Sequence, residues 1–300
     1  VSGNLIHWQS KQIDVKTTPH HRWWTTARTT IRDNGEPEHV WQDYKFRTTA
    51  EITGHQIAVK IGGGLPACFR NEPVYSDEIV ELAGWVATEG WYTAKNENHN
   101  MAAFCQSLTA NPDEVSMIRN LVSRLQAQGY RISESEAIAP YNGSTMVSWY
   151  FARELGKMIK SILPNKKLTM GFLSQLTETQ GHLLLDTMLL GDGHEDKNGH
   201  EQFIQKDVEQ LGVFAALCAM LGIRTSMLGR GDSLYLCTTD YAFGHHLNGH
   251  EDHYDGTVWC PHLRTGIFMA RCNGRTFWTG NTNIGADVFP QATEAMLNMS

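Results

Sequence analysis

The 300-residue chain has no run of about eighteen apolar residues, so no segment is long enough to cross a membrane as a helix. Its opening, VSGNLIHWQSKQIDVK, lacks both an initiator Met and the apolar core of a secretory signal, and it reads as the interior of a longer protein. Six cysteines (Cys68, Cys105, Cys218, Cys237, Cys260, Cys272) form no CxxC pair and no disulfide framework, which suits free thiols in a reducing cytoplasm. Positive charge is scarce: Lys and Arg total 25 against 32 Asp and Glu, for a net charge of −7. Nucleic acid would therefore be held only by a local basic groove, since phosphate contacts need concentrated Lys and Arg. IGGGLP, residues 61–66, lacks the Gly-Lys-Ser/Thr end of a phosphate-binding loop and reads as a turn. The histidine-rich run HHLNGHEDHYD, residues 245–255, has no accompanying Cys pair and no closed-site zinc spacing, so it reads as a solvated loop.

What is present is an ordinary globular composition, 41% hydrophobic and 19% charged, with length for one to three domains. Short β-type runs (LIHW, IDVKT, VWQDYKF, HQIAVKI) alternate with polar turns over the first ~70 residues. From Ser76 helical spacing takes over, mixed with strand-like runs until about Thr239, after which short strands and turns return. A β–mixed–β order implies one β domain interrupted by a separately folding insert. The insert repeats itself. ELAGWVATEGWYT, FCQS and VSMIRNLVSRLQAQGYRI recur in kind as LLLDTMLLGDGHE, FIQKD and VFAALCAMLGIRTSM. Each unit is a helix ending in acid-Gly, a strand ending in Gln, then an amphipathic helix, and such a duplication packs about a pseudo-twofold axis.

Small residues stand four apart on each leading helix, Gly84 with Thr88 and Thr187 with Gly191, so one face of each lets the two backbones approach. An acid follows each pair, Glu89 and Asp192. Taken singly, each is a helix stop; facing each other, two unpaired carboxylates repel and call for a divalent cation. LAGWVATEG and LDTMLLGDG, about a hundred residues apart, resemble the paired motifs of single-chain LAGLIDADG homing endonucleases. The first matches at Leu82, Ala83, Gly84 and Gly90, with Glu where Asp is usual; the second is a looser form. The resemblance implies that Glu89 and Asp192 bind Mg²⁺ and activate water for double-strand cleavage. It places Gln106 and Gln205 near the metal centre and four-stranded saddles in the DNA major groove. Lys206 is the candidate for a supporting basic residue, followed by Lys160 and Lys166.

The flanks carry a second resemblance. TTPHHRWW is similar to the TxxH segment of inteins, with Thr18 and His21 as the pair. VWCP and FWTGNT resemble the two C-terminal intein motifs, with Asn281 as last intein residue and Thr282 as first host residue. Trp23, Cys260 and Thr279 stand where class 3 inteins carry their Trp/Cys/Thr triplet. By that resemblance Cys260 attacks the upstream junction and Thr282 takes over the acyl group. His21 polarises the scissile amide, and Asn281 cyclises. Gly280 stands where most inteins have His, and His262 is its possible substitute. The implied fold is a β-rich Hint-type splicing domain, incomplete at its start, interrupted by an α+β LAGLIDADG endonuclease with pseudo-twofold αββαββ repeats. Its parts are residues 1–72 and 239–281 for splicing, 73–238 for the endonuclease and 282–300 for host sequence. The expected partners are double-stranded DNA at the vacant host-gene site and the flanking host segments, the exteins. A monomer in a bacterial or phage-infected cytoplasm, with no membrane partner, completes the expectation. Rival readings are a free-standing homing endonuclease with degenerate flanks, or a DNA-binding regulator derived from one.

Overall fold

The computed structural model describes residues 2–33, 36–64, 68–92, 102–197, 199–228, 233–237, 239–257, 261, 263, 266–272 and 275–280. The chain divides into two compact units. One takes in Val1–Gly63, Ile223–Ser226 and Cys237–Ser300; the other takes in Gly64–Gly222 and Met227–Leu236. The first division thus falls earlier than the expected boundary at residue 72.

The first unit opens with β1 (Ser2–Gln9) and β2 (Asp14–Thr17), followed by the long β3 (Arg22–Asp33). β4 (Glu36–Trp41), β5 (Lys45–Thr48), helix α1 (Thr49–Ile52) and β6 (Ile57–Lys60) complete its N-terminal part. The expected run VWQDYKF is broken between β4 and β5. α1 is only one turn, and a capping box fixes it: Thr48 Oγ1 accepts from the Glu51 N–H, and the Glu51 carboxylate accepts from the Thr48 N–H at 2.7 Å.

The duplication runs as two successive αββαββ passages, all in the second unit except Arg224–Ser226 and Cys237 at the end of the second passage. The first runs α2 (Asp77–Glu89), β7 (Gly90–Tyr92), β8 (Ala102–Ser107), α3 (Pro112–Ala127), β9 (Ile132–Ile138) and β10 (Thr145–Phe151). Helix α4 (Arg153–Ile162), a 3₁₀ turn at Pro164–Lys166 and the short α5 (Met170–Leu173) lead onward. The second passage runs α6 (Glu178–Asp192), β11 (Gly193–Glu195), β12 (Glu201–Ile204), α7 (Val208–Met220), β13 (Arg224–Leu228) and β14 (Ser233–Cys237). The sheets have matching order, β7-β8-β10-β9 and β11-β12-β14-β13. Their registers match too, with Gly90 opposite Phe104 and Gly193 opposite Phe203, both phenylalanines buried.

α2 and α6 pack along their small faces. A Cβ on Gly84 would lie 2.8 Å from Thr187 Cγ2, and one on Gly191 would lie 2.2 Å from Thr88 Oγ1. Each glycine therefore receives the threonine of the other helix, a reciprocal pairing that any side chain would wedge apart. The threonine hydroxyls donate back into their own helices, Thr187 to Leu183 O at 2.7 Å and Thr88 to Gly84 O at 3.2 Å. Both helices switch to strand in a single residue. The glycines that follow the acids are extended, and a Cβ there would meet the carbonyl oxygen four residues back, at 2.5 Å for Gly90 and 2.0 Å for Gly193.

The chain then returns to the first unit through β15 (Tyr241–Phe243), β16 (Gly249–Asp255), β17 (Ile267–Cys272) and β18 (Arg275–Gly280). One sheet has the order β16-β1-β2 and another β15-β6-β3-β18-β17, with β4 and β5 also paired to β3. Strands from both ends of the sequence thus share each sheet. Their common core holds Trp8, Ile13, Trp23, Ile52, Val59, Ile61, Ala242, Leu247 and Phe277. The histidine-rich run is corrected here. It is not a solvated loop: from Gly249 it is strand β16, fixed by seven register pairs with β1, Ser2↔Asp255 through Trp8↔Gly249.

Candidate functional site

Chemistry-bearing residues gather at one place in each unit. In the second unit the place is the end of the α2–α6 seam. Helix length brings Glu89 and Asp192 to equivalent last positions, each half-buried immediately before its helix-to-strand glycine. Burial raises both carboxyls above their ordinary range, and for Glu89 the charge of Asp192 adds to the shift. Lys166 opposes both shifts. Its own ammonium is pushed down by burial and back up by Asp192, Glu89 and Cys105. Lys166 Nζ donates to the Thr88 carbonyl oxygen at 2.8 Å, which pins it one residue from Glu89. It is delivered there by an unusual backbone, with Asn165 and Lys166 both left-handed at φ of 55° and 65°. Consecutive positive φ values at non-glycine residues are costly and mark a functional or tightly held turn.

The two glutamines diverge. Gln205 Nε2 donates to Asp192 Oδ2 at 3.2 Å. Gln106 is buried and its Oε1 accepts from the Ser107 N–H at 2.8 Å and from Asn111 Nδ2 at 3.0 Å, so its carbonyl end serves the start of α3. Lys206 is exposed, and Lys160 Nζ lies 5.1 Å over the Tyr92 ring. Of the three lysines considered, Lys166 is the one coupled to the acids. Among the described residues the Glu89 carboxylate accepts no hydrogen bond. Two half-buried carboxylates with one shared lysine are short of positive charge, and hard oxygen donors suit a divalent cation of the Mg²⁺, Ca²⁺ or Mn²⁺ type. The residues fit such an ion.

In the first unit the place is the β3–β18 pairing, where Thr279 stands opposite Trp23. His21, just before β3, has Nε2 hydrogen-bonded to Thr279 Oγ1, and its ring lies edge-on to Trp23 with centroids 5.0 Å apart. Burial pulls the His21 pKa down to about 4, so the imidazole is neutral near pH 7. A turn over 18–21 holds it: the His21 N–H donates to Thr18 O at 3.1 Å, and the Thr49 N–H donates to His21 O at 2.9 Å. Trp23 is fully buried between Trp8 and Phe277, and its Nε1 donates to Thr49 Oγ1 at 2.8 Å. Thr49 had no motif to announce it, yet it ties His21 to Trp23. The Thr18 hydroxyl oxygen is buried with no hydrogen-bond partner among the described residues.

A Cβ on Gly280 would lie 2.5 Å from Phe46 Cε1, with the Arg22 guanidinium stacked 4.1 Å over that ring. The space beside Gly280 is therefore filled from outside by Phe46. Cys260, His262, Asn281 and Thr282 lie outside the described residues.

No protein-family model matches the chain, and no curated protein matches it. Among solved structures the chain is similar to the crystal structure of I-DmoI in complex with DNA and Ca, at 12% identity over 53% of this chain and 81% of that one, TM-score 0.38. It is similar to the N-terminal LAGLIDADG domain of DUF199/WhiA at 14% identity over 56% of this chain and 80% of that one, TM-score 0.35. A third likeness is to the homing endonuclease I-WcaI bound to its DNA recognition sequence, at 14% identity over 55% and 77%, TM-score 0.36. At such scores these are likenesses alone.

Proposed function

We propose that the second unit is a site-specific double-strand DNA endonuclease of the LAGLIDADG kind, and that the first is the Hint-type splicing domain of an intein that carries it. The observation that carries the nuclease reading is the seam end: two raised carboxyls, Glu89 and Asp192, with Lys166 held against the Thr88 carbonyl and acting electrostatically on both. Glu89 and Asp192 would hold divalent metal, Mg²⁺ being the expected ion. When bound, such an ion stabilises charge on a phosphoryl oxygen and makes water a stronger nucleophile. Gln205 keeps Asp192 oriented, and Lys166 supplies positive charge next to the phosphate in the transition state. The open face of the first sheet suits a groove. Alternation puts Glu134 and Glu136 on one face, where Arg119 of α3 pairs them, and Ser133, Ser135, Ser148 and Tyr150 on the other. Uncharged hydrogen-bonding side chains on a β-ribbon are what base-edge readout in a major groove uses.

The splicing reading rests on His21, Thr279 and Trp23 meeting across the β3–β18 pairing from opposite ends of the chain. In it the Cys260 thiolate attacks the carbonyl carbon of the upstream junction. The C–N bond breaks, the amine leaves with a proton, and a thioester remains. The Thr282 hydroxyl displaces the thiol, the Asn281 side-chain nitrogen attacks its own backbone carbonyl to release the Thr282 amine, and that amine takes the acyl group. A neutral His21 is suited to hydrogen-bond the scissile amide before any proton moves.

The test separates the two activities. DNA of the host gene lacking the insertion is incubated with Mg²⁺ and the intact, Glu89→Gln or Asp192→Asn protein. Cleavage by the intact chain and binding without cleavage by both variants is expected; full cleavage by either variant removes the assignment. In parallel the chain, together with any part of the splicing domain that precedes it in its gene, is expressed between two host segments and followed by mass spectrometry. Ligated host segments and a Cys260-dependent branched species are expected, whereas an unprocessed chain that still cleaves DNA leaves a free-standing endonuclease with degenerate flanks. A chain that binds this DNA and never cuts it leaves a regulator.

A further inference from the structure

β1 and β16 come from sequence positions more than two hundred residues apart, and their register sets His7 directly opposite His250. Alternation along β16 puts Asp252 on the same face as His250, and Asp14 of β2 lies on that face beside His7. His7 Nε2 lies 2.8 Å from Asp14 Oδ1, and a carboxylate can only accept, so Nε2 carries the proton. The other ring nitrogen, Nδ1, faces Asp252 Oδ2 at 3.5 Å and would offer a metal its lone pair when it carries no proton. His250 Nε2 lies 3.6 Å from Asp252 Oδ1, and the three donor atoms all fall within 4.8 Å of one another. Ligands about 2.0–2.1 Å from a tetrahedral zinc sit roughly 3.3 Å apart, so the cluster needs only small side-chain rotations to close on an ion.

We propose that His7 Nδ1, His250 Nε2 and the Asp252 carboxylate form a binding site for a divalent transition-metal ion of the zinc class, with Asp14 as the carboxylate behind His7. Imidazole nitrogens select Zn²⁺ and its borderline neighbours over Mg²⁺, so this site is chemically distinct from the acid pair of the second unit. Asp14 is buried and also takes Arg275 Nη1 at 3.4 Å, which holds it in place to fix the His7 tautomer and ring direction. His250 is exposed, so a fourth position remains open to water. The competitor is Lys16, whose Nζ lies 2.7 Å from Asp252 Oδ2. Metal binding replaces that ion pair at one oxygen and crosslinks the strand nearest the start of the chain to the strand that leads into the Cys260 segment.

The test uses the full chain in reducing buffer, with excess Mg²⁺ present to occupy carboxylate sites, titrated with Co²⁺ alone and then with Zn²⁺. One equivalent of Co²⁺ displaced by Zn²⁺, visible in the d–d absorption and without a thiolate-to-cobalt band, is expected. His250→Gln, at an exposed position, should weaken binding at least tenfold. Asp14→Asn should weaken it by roughly 10–100-fold through His7. Lys16→Gln should tighten it by freeing Asp252. No saturable binding, binding carried by a thiolate band, or binding unchanged in His250→Gln would each overturn the proposal.

Discussion

At the seam end of the second unit, charged groups are half-buried together; at the β3–β18 pairing of the first unit, a titratable group is buried until it is neutral. Glu89 and Asp192 are raised by burial, and Lys166 counters by returning charge. His21 is displaced by burial, down to about 4, and its ring is engaged by a hydroxyl and an indole edge. The lesson is that half-burial has opposite uses. A cluster of unlike charges offsets part of its own burial cost, while a lone imidazole loses its charge and becomes a neutral hydrogen-bonding group; in the proposed function the first would take a cation and a polyanion and the second would serve acyl chemistry.

The largest effect should come from breaking the charged cluster. Glu89→Gln and Asp192→Asn are each expected to lower the cleavage rate by about 10³-fold or more, beyond the loss of one preorganised donor at a reacting centre. In the proposed site both acids would hold one ion, so the double variant should be little worse than either single one. A multiplicative loss in the double variant, read from single-turnover cleavage, would place the two acids in separate roles.

The neutral site should show itself in the pH dependence of folding. An unfolded histidine takes up its proton near 6.5, whereas folded His21 does so only near 4. In that window the unfolded state binds the extra proton, so His21 contributes stability above pH 6.5 that is lost progressively as the pH falls toward 4. The full loss is about 3 kcal/mol at 1.36 kcal/mol per unit. Carboxyls titrate in the same range, so the quantity to compare is the wild type against His21→Gln in denaturant melts at several pH values. A parallel pair of curves would show that His21 is not buried neutral.

Next in size is the choice of lysine. Lys166→Met should cost about 10²-fold in cleavage, the scale of losing one charge-stabilising donor. Lys206→Met should change it by less than about twofold, being exposed and outside the cluster. Equal losses would mean that the Thr88 carbonyl contact of Lys166 has no bearing on the reaction.

The lysine also shows where sequence reading stops. The acids and the small residues of α2 and α6 were legible because a duplicated helical period repeats them, and the reciprocal Gly84–Thr187 and Gly191–Thr88 contacts follow from that period. Lys166 belongs to neither repeat. It follows Pro164 in a left-handed turn whose direction no hydrophobic pattern encodes. Gln106 and Gln205 hold equivalent places in the repeats yet face different partners. The first is five residues before the α3 cap Asn111, near enough to bond it; the second is two before the α7 cap Asp207 and turns to Asp192 instead. β3 was hidden by its polar start, TTPHHRWW, although Trp23 within it is a centre of the core. The His7–His250 pairing was invisible because only the β1–β16 register brings those residues together.

The smallest expected effect concerns Thr18, and its smallness is informative. Thr49 and Thr18 flank His21 from two sides of the same turn. Thr49 Oγ1 accepts the Trp23 indole N–H at 2.8 Å and shares a hydrogen bond with Thr17 Oγ1 at 2.9 Å. Thr49→Val would strand a buried indole donor and should cost about 1–3 kcal/mol. The Thr18 hydroxyl is buried without a partner among the described residues, so Thr18→Val removes a desolvated group of the same shape and should move stability by no more than about 0.5 kcal/mol. A buried hydroxyl that does nothing for the fold, next to a neutral imidazole, is suited to bind an amide carbonyl at the scissile junction. Thr18→Val, in a chain placed with any preceding part of its splicing domain between two host segments, should therefore fold as well as the parent and yet accumulate unprocessed chain. Normal splicing in that variant would leave the hydroxyl without a role at the junction. A loss of stability as large as that of Thr49→Val would show instead that Thr18 is hydrogen-bonded within the folded chain.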